Sequence, residues 1–158
     1  MKNSIHILVV EGRYYDHISD ELLRGAEAAL KEAGASFEVS TVPGALEIPQ
    51  IVGAAIASGL FSEDQTNPFH GCVALGCVIR GETSHYEIVA NESARALLSL
   101  ATAHSIPLGN GILTVENEAQ ALARASVQGK NKGRDAVEAC LAVIHLKRAF
   151  ERRRRHSS

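Results

Sequence analysis

The chain has no tryptophan, and aromatic residues make up only 4% of its 158 positions. A core with so few rings must be filled by aliphatic and small side chains. Abundant alanine meets that need and suits helices packed closely on a sheet. Cysteine is scarce as well: there are three, an odd number with no CxxC spacing, which argues against a disulfide framework or a thiolate metal site. Cys72 and Cys77 lie five apart in one apolar run, so on a strand they point to opposite faces and cannot pair. All three read as small buried residues. No apolar stretch approaches the roughly 20 residues that span a bilayer. Residues 1–4 lead directly into a strand pattern and not into a signal-peptide core, so a cytoplasmic protein is expected. There is no HxxxH, no P-loop and no GxGxxG after the first strand. Chemistry by positioning and proton transfer is expected, with no metal, nucleotide or other cofactor.

Hydrophobic residues reach 46% and charged residues 22%, ordinary values for a globular protein. The length suits one domain, spanning residues 1–158. Net charge is −2 but unevenly spread: Lys147, Arg148 and Arg152 to Arg155 supply six of the 16 cations. Residues 1–146 therefore hold 10 cations against 17 acids. A basic end on an acidic body is a nucleic-acid footprint, but no aromatics are interleaved with these arginines, so the stacking half of such a site is missing. The basic residues fit a helix C-terminus, where cations are favoured, with residues 151–158 a frayed tail. Neither a nucleic-acid nor a membrane partner is expected.

Strand and helix patterns alternate along the whole chain. Residues 5–10, 37–42, 72–79 and 107–115 are short apolar runs bounded by Gly or Pro, the pattern of buried strands. Helical spacing of apolar residues covers 16–33, 47–60, 85–104, 118–126 and 131–153. Asp16 or Ser19 is placed to cap the first helix and Gly34 to stop it. Strands apolar on both faces, alternating with helices, imply a parallel sheet covered on both sides by right-handed crossovers. The expected fold is α/β: a three-layer αβα sandwich on a four-stranded, flavodoxin-like parallel sheet. No repeat or linker interrupts it.

In such a sheet, ligands bind outside the carboxyl ends of the strands. Glu11-Gly12-Arg13-Tyr14-Tyr15 follows the first strand, and its two tyrosines are either surface aromatics or a flat face for a planar ring. The second strand runs into Val42-Pro43-Gly44-Ala45-Leu46-Glu47-Ile48-Pro49, a loop stiffened by two prolines. Glu47 there either offers a carboxylate to a polar ligand or favours a helix dipole. The third strand ends in Gly76 through Glu87, which carries an acid, two hydroxyls and an imidazole. Ser84 and Glu87 fit a capping box. His85 has no such structural reason; an imidazole, with an ordinary pKa of about 6.5, suits proton transfer at neutral pH. Beside it, the helix N-terminus can hold a phosphate. After the fourth strand, Arg124 and the stretch 128–134 form a cation-rich, glycine-flanked segment, either an anion site or a solvated surface.

Five motifs in this order resemble the lumazine synthase family: Gly12-Arg13-Tyr14, VPGALEIP at 42–49, GCVIRGETSHY at 76–86, GNGILTVEN at 109–117 and NKG at 131–133. The resemblance runs from about residue 5 to 150. It implies condensation of 5-amino-6-(D-ribitylamino)uracil with 3,4-dihydroxy-2-butanone 4-phosphate to 6,7-dimethyl-8-ribityllumazine, the penultimate step of riboflavin biosynthesis. It also implies homopentamers with active sites between neighbouring subunits. By the same resemblance Tyr14 stacks on the pyrimidine, while Ala45, Leu46 and Glu47 line the ribityl chain. Cys77, Val78 and Ile79 hold the pyrimidine edge, joined by Asn110 from the adjacent subunit. Glu82 and Thr83 contact the butanone phosphate through backbone amides, Arg124 binds it, and Lys132 lines the same site. His85 is the proton donor and acceptor.

Some positions depart from the commonest family pattern. Leu46 replaces a frequent aromatic, and Glu82 stands where a small residue is common, so its carboxylate must point away from the phosphate. Gly129-Lys130 alters the loop before NKG while keeping its length. No N-terminal extension pairs with a neighbour, so a bare pentamer is expected over a sixty-subunit shell. Two other readings share the fold. A receiver or electron-transfer module would need clustered acids after the first strand and an Asp after the third, where this chain has Glu11-Gly12-Arg13 and Arg80-Gly81. A non-catalytic flavin- or lumazine-binding relative would keep the pocket without the complete His85, Arg124 and Lys132 set.

Overall fold

Seven aliphatic-rich residues, His6–Gly12, form the first strand, β1, and every one of them is buried. In the computed structural model, which describes residues 4–157, β1 is flanked on both sides. Residues 1–3, on which the reading of the N-terminus rests, and residue 158 lie outside the described residues. The remaining elements are α1 (Asp16–Glu32), β2 (Ser36–Val42), a 3-10 turn (Ala45–Glu47) and α2 (Ile48–Ala57). β3 (Gly71–Ile79), α3 (His85–His104), β4 (Leu108–Val115), α4 (Glu118–Ala125) and α5 (Lys132–Ser157) follow. The sheet order is β2-β1-β3-β4 and all pairs are parallel. Among the described residues, no helix is long and apolar enough to cross a membrane.

Side chains alternate across the sheet, and each face collects its own core. Ile7, Val9, Val73, Leu75 and Cys77 pack with residues of α1, α4 and α5. Leu8, Val10, Cys72 and Ala74 pack with residues of α2 and α3. Cys72 and Cys77 thus belong to opposite faces. The three-layer αβα sandwich expected from the alternating pattern is the fold observed. The central strands β1 and β3 are buried throughout except at Ile79. β2 departs from the expectation of strands apolar on both faces: as an edge strand, it leaves Ser36, Glu38, Val39 and Thr41 exposed.

Helix ends show where tertiary contacts override local signals. Neither Asp16 nor Ser19 caps α1; Tyr15 occupies the cap position without a side-chain bond. Ser19 Oγ instead donates to Gly12 O at 3.1 Å, and Asp16 accepts from Arg13 at 3.2 Å. The stop at Gly34 is as expected, with φ +71°. α2 starts one residue after Glu47 because Ala45–Glu47 winds as a 3-10 turn, and it ends before Gly59 (φ +76°). α5 runs to Ser157, so residues 151–157 are helix and not a frayed tail. Arginine is a good helix former, cations suit a helix C-terminus, and Ser157 Oγ donates to Arg153 O at 2.9 Å.

The NKG motif has a packing explanation. Asn131 adopts φ +49°, a conformation that Asn tolerates better than most residues. Its side chain fills the space where a Cβ on Gly25 would stand, 2.0 Å from Oδ1. A Cβ on Gly133 would sit 2.1 Å from Leu22 O in α1. The α1–α5 contact therefore has no room for a methyl group. Gly133→Ala is expected to lower stability by about 3 kcal/mol, the upper range for overpacking; an unchanged denaturant midpoint would contradict this contact.

Candidate active site

The order β2-β1-β3-β4 sends β1 into α1 on one face and β3 into α3 on the other. The loops that leave these adjacent strands part, opening the crevice typical of a topological switch point. A cavity of about 510 Å³ lies there. Its walls come from three loops.

From the loop after β1 come Tyr14 and Tyr15, edge-to-face with centroids 4.9 Å apart. Tyr14 is 74% exposed, so its ring is available to a planar ligand. Burial, above all, pushes the Tyr15 hydroxyl above its ordinary pKa, so it stays protonated. This loop is clamped from below. Arg13 N donates to Val42 O at 3.0 Å, and Arg13 Nε donates to the buried Glu11 Oε2 at 2.9 Å. Thr41 Oγ1 donates to the same oxygen at 2.7 Å, and Asp20 pairs with Arg13 at 2.9 Å. The bond to Glu11, foremost, raises the Arg13 pKa still further.

Pro43 to Glu47 form the second wall. Gly12 and Gly44 pass so closely that a Cβ on Gly12 would lie 2.9 Å from Gly44 C. Glu47 is half-buried and lines the cavity. Its side chain makes no cap for α2 and no ion pair among the described residues, which leaves the carboxylate for a ligand.

Cys77, Val78 and Ile79 form the third wall, extended by Gly81, Thr83, His85 and Tyr86, with Val89 beneath. The capping box does not form: Ser84 makes no side-chain cap, and Glu87 is taken by Arg80. Arg80 also donates to Glu116 at 2.6 Å, covers the Tyr86 ring at 4.3 Å, and donates its amide to Val115 O at 2.9 Å. The bond to Arg80 is the main cause holding Glu87 below its ordinary pKa. His85 is exposed, its amide bonds Thr83 Oγ1 at 3.3 Å, and its ring has no partner among the described residues. Burial pushes the Cys77 thiol up to about 11, so it enters the wall as a neutral group.

Nine of the sequence candidates thus line one cavity: Tyr14, Ala45, Leu46, Glu47, Cys77, Val78, Ile79, Thr83 and His85. Four do not. Glu82 is exposed beside it. Asn110 is exposed on the edge strand β4, where Oδ1 accepts from Ile112 N at 3.0 Å. Arg124 in α4 donates to Gln120 O at 3.1 Å, and Lys132 in α5 pairs with Asp135 at 3.2 Å. Sequence reasoning missed Arg80 as organiser and Tyr86 as lining; the adjacent capping-box pattern masked the first. Among the described residues no group of three or more His, Cys, Asp or Glu is arranged to hold a metal.

A family profile described as 6,7-dimethyl-8-ribityllumazine synthase matches residues 4–148. The chain is 58% identical over 142 residues to the protein of that name from Azorhizobium caulinodans, covering 90% of this chain and 86% of the relative. It is 55% identical over 150 residues to the one from Bartonella tribocorum, covering 95% of both. To the one from Agrobacterium fabrum it is 56% identical over 144 residues, covering 90% of this chain and 95% of the relative.

Two expectations follow from this geometry. Arg80→Ala should speed amide exchange at residues 82–87 while leaving the denaturant midpoint of global unfolding nearly unchanged, because exposed ion pairs contribute little to folding. Protection equal to wild type would show that Arg80 does not hold the loop. Iodoacetamide at pH 7.5 should leave Cys77 unmodified in the native protein and label all three cysteines after denaturation, since the reactive species is the thiolate; rapid native labelling of Cys77 would contradict its buried, neutral state.

Proposed function

The chain belongs to the 6,7-dimethyl-8-ribityllumazine synthase family, and from that premise we propose that its chemistry runs in the cavity between the two tyrosines and His85. It is a transferase of riboflavin biosynthesis, condensing 5-amino-6-(D-ribitylamino)uracil with 3,4-dihydroxy-2-butanone 4-phosphate to 6,7-dimethyl-8-ribityllumazine. An amine attacks a ketone, phosphate leaves and the ring closes, with loss of water. Each step needs protons moved, and the departing phosphate needs its charge neutralised.

The observation that carries the assignment of roles is the convergence of three loops on one cavity with an unpartnered imidazole at its edge. Tyr14 stacks on the pyrimidine, whose edge lies against the backbone of Cys77, Val78 and Ile79. Ala45 and Leu46 line the ribityl chain, and the Glu47 carboxylate accepts hydrogen bonds from its hydroxyls. Thr83, Glu82 and the N-terminus of α3 receive the phosphate through backbone amides. His85 takes the proton from the attacking amine and returns one to the departing oxygen. Holding the two substrates in register supplies much of the remaining acceleration.

Asn110, Arg124 and Lys132 stand outside the cavity of their own chain. We assign them to the cavity of an adjacent subunit, where Arg124 and Lys132 supply the positive charge that the phosphate needs. The homopentamer is the assembly that fits. Exposed Ile88 and Leu98 on α3 support a buried contact between chains. The three free, buried cysteines support a reducing, cytoplasmic setting.

The deciding measurement is a two-substrate turnover assay that follows lumazine fluorescence above the uncatalysed background. His85→Ala should lower kcat by about 100-fold or more. Glu47→Gln should raise KM for the ribitylaminouracil by about tenfold with kcat little changed. Wild-type rates in His85→Ala would remove the proposed proton shuttle. A mixture of inactive His85→Ala and Arg124→Ala subunits, dissociated and reassembled together, should regain activity. A mixture that stays inactive would mean that each chain completes its own site.

A further inference from the structure

At the other end of the sheet lies a second cavity, of about 620 Å³. It sits below the N-terminal ends of β3 and β4, between the C-terminal half of α5 and the segment joining α2 to β3. None of its lining residues lines the catalytic cavity. Its size falls within the range of small-molecule sites.

One side is apolar and partly aromatic. Phe61 and Phe69 meet at 5.6 Å, and Ile106, Pro107 and Ile144 continue the surface. The other side is charged. Lys147, Arg148, Arg152 and Arg155 face two acids, Glu63 and Glu151, an excess of two positive charges. Some of this charge is used within the chain: Lys147 donates to Ser105 O at 2.6 Å and Arg148 to Ser4 O at 3.4 Å. The ammonium of Lys147 keeps two further N–H groups. Arg152 has no ion-pair partner among the described residues.

His70 adds a directed donor. Its Nδ1 accepts from His6 N at 2.9 Å, so the proton of the neutral ring is on Nε2. Burial first, then Arg148, His6 and Lys147, with Glu63 opposing, lower its pKa, which keeps the ring neutral. Simple compensation of helix carbonyls accounts for Lys147 at the end of α3. It accounts for neither the apolar floor nor Arg152.

We propose that this cavity is a second ligand site and that it takes an aromatic organic phosphate, its ring against Phe61, Phe69 and Pro107 and its phosphate against Lys147 and Arg152. A guanidinium fork and an ammonium are the donors that suit phosphate oxygens, and a ring surface beside them selects a planar body. The site is independent of the condensation and of the residues that perform it.

The test is calorimetric titration of the full-length protein with ADP, adenosine and inorganic phosphate as separate probes. ADP should bind one per chain, with adenosine and phosphate each at least about tenfold weaker. Arg152→Glu, at an exposed position, should weaken ADP by about tenfold or more, and His85→Ala should leave it unchanged. Lys147→Gln carries the same expectation should Arg152→Glu fail to fold. The proposal is overturned by no ADP binding at about 1 mM, or by binding that His85→Ala removes and Arg152→Glu does not. Inorganic phosphate binding as tightly as ADP also overturns it, because the apolar surface would then select nothing.

Discussion

The pairing of β1 with β2 on one side and β3 on the other decides where everything else can go. Because β1 is fully buried and parallel to both neighbours, the carboxyl ends of the three strands point the same way, with β3 running past the level of Gly12 to Ile79, and their loops must share one space. The change of direction in strand order then forces the loops after β1 and β3 to opposite faces, so the shared space stays open. A ligand cavity is a consequence of that topology before any catalytic side chain is considered. The chemistry-bearing residues occupy the loops because these are the positions that the sheet holds still without covering.

Open loops need to be held, and the molecule uses two ionic clamps of different character. Under the tyrosines, Arg13 grips a carboxylate buried at 3% exposure. The cost of burying Glu11 is offset only while Arg13 and Thr41 remain bonded to it, so this clamp is tied to the fold itself. Beside His85, Arg80 grips two exposed acids and lies on Tyr86. Its bonds are screened by solvent, so it shapes the loop without contributing much to global stability. The rigid clamp holds the wall that carries the two tyrosines, and the looser one holds the wall that carries Thr83 and His85.

Much of this was legible in the sequence because it is periodic or local. The span of α3, residues 85–104, follows from its apolar spacing, and the assignment of Cys72 and Cys77 to opposite faces follows from strand pleating. The cavity residues at 14, 45–47, 77–79, 83 and 85 each lie at the end of an apolar run or within a few residues past it. What stayed hidden depends on partners distant in the chain. Glu87 looked like a cap because Ser84 is three residues away, whereas its actual partner, Arg80, is positioned by Glu116, the residue that follows β4. Asn131 and Gly133 lie in a stretch that reads as either an anion site or a solvated surface, but their conformations answer to Gly25 and Leu22 in α1. The second cavity joins residues 61–70 to residues 144–155, a meeting that no local pattern announces.

The scarcity of aromatic residues has an optical consequence. The chain has three tyrosines and no tryptophan, and Tyr14, Tyr15 and Tyr86 all border the cavity at the carboxyl ends of the strands. Nearly all of its near-ultraviolet absorption and intrinsic emission therefore originates within one small region. Occupancy of that region by a ring that stacks on Tyr14 alters the spectrum of the unlabelled protein directly, with no background from a remote indole. The molecule is its own spectroscopic reporter, and the signal comes from the walls of the site.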